Sequence, residues 1–139
     1  DMLASLMSVL SMIKYALAGI GAISLLVGGI GIANVMMLTV KERIKEIGVM
    51  KALGATTRDI RMQYLLEAGV LGAVSSLIGI MMGVAVSYLI GSLASLPSAI
   101  TYQSIILGVL FGVVTTTIAG VYPANRAARL DPIEALRAE

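Results

Sequence analysis

"VKERIKEIGVMKALGATTRDIR", residues 40–61, is the one long charged passage in a chain that is otherwise almost entirely hydrocarbon. Six of the ten basic residues fall inside it: Lys41, Arg43, Lys45, Lys51, Arg58 and Arg61. Of the 139 residues, 58% are hydrophobic and 13% charged, where soluble domains carry roughly a quarter charged. The composition is that of a membrane protein, and the quoted passage is what joins its spans.

On either side of that passage the spans can be counted. Every residue between Lys14 and Lys41 is uncharged, which exceeds the ~20 apolar residues that cross a hydrocarbon core. A second uncharged run, residues 68–125, is long enough for two crossings once Pro97 in "SLASLPSAITYQS" breaks it, because proline lacks a backbone donor and disfavours helix just before it. The expected spans are residues 15–40, 68–92 and 103–122, with a loop at 93–102 between the last two. All five tyrosines, Tyr15, Tyr64, Tyr88, Tyr102 and Tyr122, fall near a span end, where an amphipathic ring prefers the interface. Basic residues flank the spans mostly on one side, with those of the quoted passage and then Arg126, Arg129 and Arg137, while the opposite side carries only Lys14. The positive-inside rule makes residues 41–67 and the tail 123–139 cytoplasmic and the N-terminus extracytoplasmic.

Residues 1–14 precede the first span. Leu3, Leu6, Leu10 and Ile13 form a heptad-like stripe there, and two readings stand open: a helical stalk above the membrane, or an amphipathic lead-in at the interface. The segment has no basic n-region and runs into too long an apolar stretch for a signal peptide. The first residue is Asp rather than Met, so a piece of something longer is expected.

The chemistry open to the chain is narrow. It has no Cys and no His, which removes disulfides, thiolate or imidazole metal sites and Ser/His or Cys/His catalysis. No Asp, Glu, Lys or Arg lies within a span, and ion-coupled carriers need such groups near the membrane interior. The glycine-rich "GIGAISLLVGGIGIAN" completes no dinucleotide or Walker pattern and lies inside an apolar run rather than after a strand. No cofactor is expected on this chain, and neither metal nor nucleic acid; energy must enter from elsewhere, through the cytoplasmic elements.

Within the spans small residues recur every four positions. Ser75, Gly79, Gly83, Ser87 and Gly91 form one ladder, and Ser104, Gly108, Gly112, Thr116 and Gly120 another. In lipid such faces let helix backbones approach closely and gain van der Waals contact. Gly79, Gly83, Gly108 and Gly112 are the expected packing positions, within one protomer or across two.

In the quoted passage, Val40, Ile44 and Ile47 share one helical face while Val49, Met50 and Leu53 lie opposite, so one straight surface helix does not account for it. The change falls at Gly48, a residue that permits a kink or close contact with another backbone; a C-cap at Gly54 is expected next, and then a capping box of Thr56 with Asp59 opening the helix that leads into span two. By charge alone the passage also reads as a basic loop against anionic lipid headgroups. Glu42, Glu46 and Asp59 weaken that attraction, and the surplus apolar residues suit a protein pocket. The tail repeats the design: Asp131 is an N-cap, Pro132 takes the first helical position and Glu134 the third. Ile133 and Leu136 on that short helix are placed to dock on a partner.

"ERIKEIGVMKALGATTRDI" and the closing "YPANRAARLDPIEALR" together resemble the permease domain of the MacB/FtsX superfamily of ABC transporters. The preceding "GIGAISLLVGGIGIANVM" is similar to that family's second transmembrane helix, and residues 1–13 to the base of its outer stalk. The resemblance covers nearly the whole chain. It implies an all-α membrane protein with three transmembrane helices, an N-terminal stalk segment, a cytoplasmic coupling-helix loop and a short cytoplasmic C-terminal helix. It also implies a bacterial plasma membrane location and a fragment lacking the family's first helix and outer domain. The family works as a permease dimer on ABC ATPase subunits or domains that bind and hydrolyse the ATP, with a periplasmic adaptor in some members. The resemblance therefore assigns Glu46, Ile47, Gly48, Met50, Lys51, Leu53 and Gly54 to an ATPase-coupling contact, joined by Asp131, Ile133, Leu136 and Arg137. The implied function is mechanical export of drugs, peptides or lipoproteins; the alternative is a non-transporting anchor that regulates cell-wall hydrolases, as in the division-associated branch.

Overall fold

The structure, a computed structural model, describes residues 1–137. Its helices are α1 (Met2–Glu42), α2 (Ile44–Ala52), α3 (Thr57–Ala94), α4 (Tyr102–Ala128) and α5 (Pro132–Arg137). The three long helices, α1, α3 and α4, are each long and apolar enough to cross a membrane, which makes this a membrane protein of the all-α kind expected. At 1.5 Å per residue α1 runs ~60 Å, twice the ~30 Å hydrocarbon thickness. The expected first segment, residues 1–14, is therefore continuous with span one, and its stripe of Leu3, Leu6, Leu10 and Ile13 is fully exposed.

α3 also runs unbroken from its cap into the span. It ends at Ser95, which adopts left-handed geometry at φ 55° two residues before Pro97. The break expected from that proline is present. α4 continues as helix beyond the expected span end at residue 122, through Pro123 to Ala128. Pro123 removes one helical hydrogen bond, yet its ring is among the most deeply buried side chains. Packing on both sides of it carries the helix on.

α3 and α4 form an antiparallel pair in which small residues face each other rung by rung. A methyl at Gly120 would lie 2.5 Å from the Ala68 Cβ, and one at Gly108 would lie 3.2 Å from Ile80 Cδ1. Between those rungs, Gly72 sits against Thr116 and Gly112 against Ser76, each too close to admit a side chain. The hydroxyls there are satisfied within their own helices: Ser76 donates to the Gly72 carbonyl at 2.6 Å and Thr116 to the Gly112 carbonyl at 2.9 Å. No polar group is left unpaired against lipid by these contacts. Gly108 and Gly112 thus pack as expected. Gly79 and Gly83 make no such contact within this chain: a Cβ added at either would meet nothing within 4 Å, and both are exposed. The face of α3 that meets α4 is Ala68, Gly72, Ser76 and Ile80, about 100° around the helix from the expected ladder.

α1 joins this pair only in its second half, where Gly29 rests on Thr115 and Ala119, and Met36 touches the Gly120 position. The core lies entirely at that end. It comprises Met36 and Val40 of α1, Ile47 of α2, Ile60, Tyr64 and Ala68 of α3, and Ala124, Ala127 and Ala128 of α4. Tyr64, expected as an interfacial ring, is instead 2% exposed within this core, while Tyr15, Tyr88, Tyr102 and Tyr122 remain exposed. The opposite end of each span presents apolar side chains outward, as a lipid-facing surface does.

Candidate functional site: a helical platform at the end of the bundle

α2 begins where α1 bends, at Arg43 (φ −103°, ψ 17°), so of the two readings of Gly48, kink or close contact, the chain uses the second. Gly48 lies mid-helix, and its bare backbone is needed for contact: a Cβ there would meet the Ala135 Cβ at 2.8 Å and Leu136 at 3.4 Å. The two-sided wheel of this passage then has a simple cause. Ile47 turns into the core and is 0% exposed, Gly48 receives α5, and Val49 and Leu53 point away from the chain.

The end of α2 is a Schellman turn. The Ala55 N–H donates to the Met50 carbonyl at 3.0 Å and the Gly54 N–H to the Lys51 carbonyl at 3.1 Å, with Gly54 at φ +105°. Only glycine takes that conformation without strain. Thr56 and Asp59 close the expected capping box: the Asp59 N–H donates to Thr56 Oγ1 at 3.2 Å and the Thr56 N–H to Asp59 Oδ2 at 2.9 Å. The bond from the Thr56 N–H first, and then the Thr56 hydroxyl, hold the Asp59 carboxyl below its ordinary range. The cap's contribution is accordingly complete above the ordinary carboxylate pKa and is lost only as pH falls through the lowered one.

α5 is capped as its sequence predicts, with the Ile133 N–H donating to Asp131 Oδ1 at 2.9 Å and Pro132 in first position. It packs across α2 through Ala135, which is buried. Lys51 completes the joint: its Nζ donates to the carbonyl of Ala128, the last residue of α4, and to that of Leu130 at 2.7 Å. A cation at a helix C-terminus satisfies orphan carbonyls and the negative end of the macrodipole together.

The residues expected to contact an ATPase therefore divide. Glu46, Leu53, Gly54, Asp131, Ile133, Leu136 and Arg137 are exposed at this end of the bundle. Ile47 and Gly48 are buried within the chain, Met50 packs against the core, and Lys51 is half-buried on its two carbonyls. Val49, not singled out from the sequence, is exposed at 46% and stands one turn from Leu53 at 84%; Ile133 and Leu136 expose 64% and 48%. Apolar positions four apart, 49 and 53, were its available signal.

Residues 18–132 match the family described as FtsX-like permease C-terminal. The chain is similar to a Bacillus subtilis protein named as the ABC transporter permease YknZ, 48% identical over 123 residues, which is 88% of this chain and 31% of that protein. It is also similar to the macrolide export ATP-binding/permease protein MacB of Bdellovibrio bacteriovorus, 44% identical over the whole chain and 21% of that protein. A third relative is the pyoverdine export ATP-binding/permease protein PvdT of Pseudomonas putida, 45% identical over 88% of the chain and 19% of that protein. The chain thus spans a third or less of the length of these relatives. With its three apolar helices and the 18–132 match, the chain belongs to the FtsX-like permease family.

Proposed function

We propose that this chain is the membrane-spanning part of an ABC exporter of the MacB type, receiving an ATPase on α2 and α5 and passing its movement outward through rigid helices. The observation that carries this reading is the platform itself. It exposes Val49, Leu53, Ile133 and Leu136 outside the three helices long and apolar enough to cross a membrane. Exposed apolar groups rimmed by Glu46, Asp131 and Arg137 have the make-up of a protein-docking surface.

The energy source follows from the chemistry of the spans. They carry no ionisable group that would bind and release a proton or ion in the membrane interior, and the two named exporters above are ATP-binding/permease proteins. ATP is then bound and hydrolysed on the partner, and this chain contributes no catalytic group. The basic residues cluster on the α2 and α5 side, which puts that side in the cytoplasm and the N-terminus of α1 outside the plasma membrane. The exposed first turns of α1 extend beyond the bilayer as a stalk, and a second permease copy and a periplasmic adaptor complete the assembly. Drugs, peptides or lipoproteins are the substrate class.

The test is a double variant, Val49→Glu with Leu53→Glu, in the full-length permease purified with its ATPase. Co-purified ATPase falls at least tenfold at unchanged permease expression if the platform is the seat. Undiminished ATPase overturns the reading.

A further inference from the structure

We infer that Lys51 is a positioning residue that fastens α2 to the end of α4, so that a push on α2 reaches all three spans rather than two. The inference rests on the reading that an ATPase seats on α2. Covalently, α2 is joined to α1 through Arg43 and to α3 through residues 53–56. It has no such link to α4. Besides Ile47, which shares the core with the alanines of α4, what ties it to the end of α4 is the face of α2 that carries Gly48 and Lys51, three residues apart and therefore on one side of the helix.

Each of those two residues makes a contact that no neighbour duplicates. Gly48 admits Ala135 of α5 against bare backbone. Lys51 places an ammonium between the carbonyls of Ala128 and Leu130, which bracket the turn from α4 into α5. Neither carbonyl accepts a backbone bond in that turn, whose N–H groups at Arg129 and Leu130 donate back to Asn125 and Ala127. The ammonium thus supplies the turn's missing donors, and its charge is favoured by the helix dipole. Val49, on the outward face of the same nine-residue helix, and Leu53, its C-cap, are left for the partner. One helix consequently has a driven face and a gripping face, and its grip holds α5 and the last turn of α4 as a single piece.

The experiment uses the full-length permease with its ATPase in lipid nanodiscs. Hydrogen exchange is followed by mass spectrometry without nucleotide and with ATP plus vanadate. Lys51→Met keeps the apolar stem and removes the donors; Lys51→Arg keeps a cationic donor. In Lys51→Met the ATPase still co-purifies within twofold of wild type, since Val49 and Leu53 are intact. Exchange at residues 129–137 rises at least tenfold, and the nucleotide-dependent change seen in wild-type α4 disappears while that in α2 persists. Lys51→Arg restores at least half of the wild-type α4 response. Wild-type exchange and an unaltered α4 response in Lys51→Met overturn the inference. Loss of ATPase binding with undisturbed exchange at 129–137 also overturns it, making Lys51 a direct partner contact while the docking reading stands. Retained binding in the Val49→Glu, Leu53→Glu variant would instead defeat the docking reading and leave the Lys51 joint intact.

Discussion

Gly48 and Gly54 are six residues apart and indispensable for different reasons. At Gly48 the limit is space, because α5 lies where a side chain would go. Gly48→Leu overpacks that joint, costs about 1–3 kcal/mol, and raises hydrogen exchange in α5; unchanged exchange there would show that the α2 and α5 contact is loose. At Gly54 the limit is backbone conformation, since nothing lies within 4 Å but φ is +105°. Gly54→Ala costs about 1–2 kcal/mol through strain alone, measurable as a lower unfolding midpoint with ATPase binding retained. Local chemistry of this kind could be read directly: the Gly54 turn, the Thr56 and Asp59 box and the Asp131 cap each act within a few residues of chain. Lys51 could not be read so, because its carbonyl partners lie 77 and 79 residues away. A lysine in a basic loop looks like surface charge until the fold brings α4 to it.

At the scale of elements, the pairing of α3 with α4 depends on which stripe of small residues faces inward. α3 carries two such stripes, one residue out of phase: Ala68, Gly72 and Ser76, and Ser75, Gly79 and Gly83. Periodicity reveals both but cannot choose between them, because the choice is made by where Thr116 and Gly112 of α4 arrive. On α4 only one stripe carries glycines, and there the expected positions Gly108 and Gly112 lie on the face that meets α3. Gly72→Leu and Gly112→Leu should each separate the pair and lower the thermal midpoint of this chain in detergent by about 5 °C or more. Gly79→Leu and Gly83→Leu, facing open space, should leave it within the small range usual for exposed positions. Equal losses from all four would contradict the packing described here. The continuation of α4 through Pro123 is equally non-local: proline disfavours a helix interior, and Pro123 and Ala124 are buried where the helix carries on.

Taken as a whole, the molecule reverses the arrangement of a soluble domain: its core is small, lies at one end and is shared by α1, α2, α3 and α4, while most of each span faces outward. That outward apolar surface suits a bilayer, where lipid supplies the contacts that a protein interior would otherwise provide. The core and the α2 and α5 platform are adjacent through Ile47, which belongs to both. A force applied to the platform is thus met by the best-packed part of the chain. The most direct measurement of this account is site-specific photo-crosslinking in living cells, with a photoreactive residue at Leu53 of the full-length permease and a control at the lipid-facing Leu26. The account predicts a crosslink from position 53 to the ATPase and none from position 26. ATPase crosslinks at neither position, with the label at 53 captured by lipid, would contradict it.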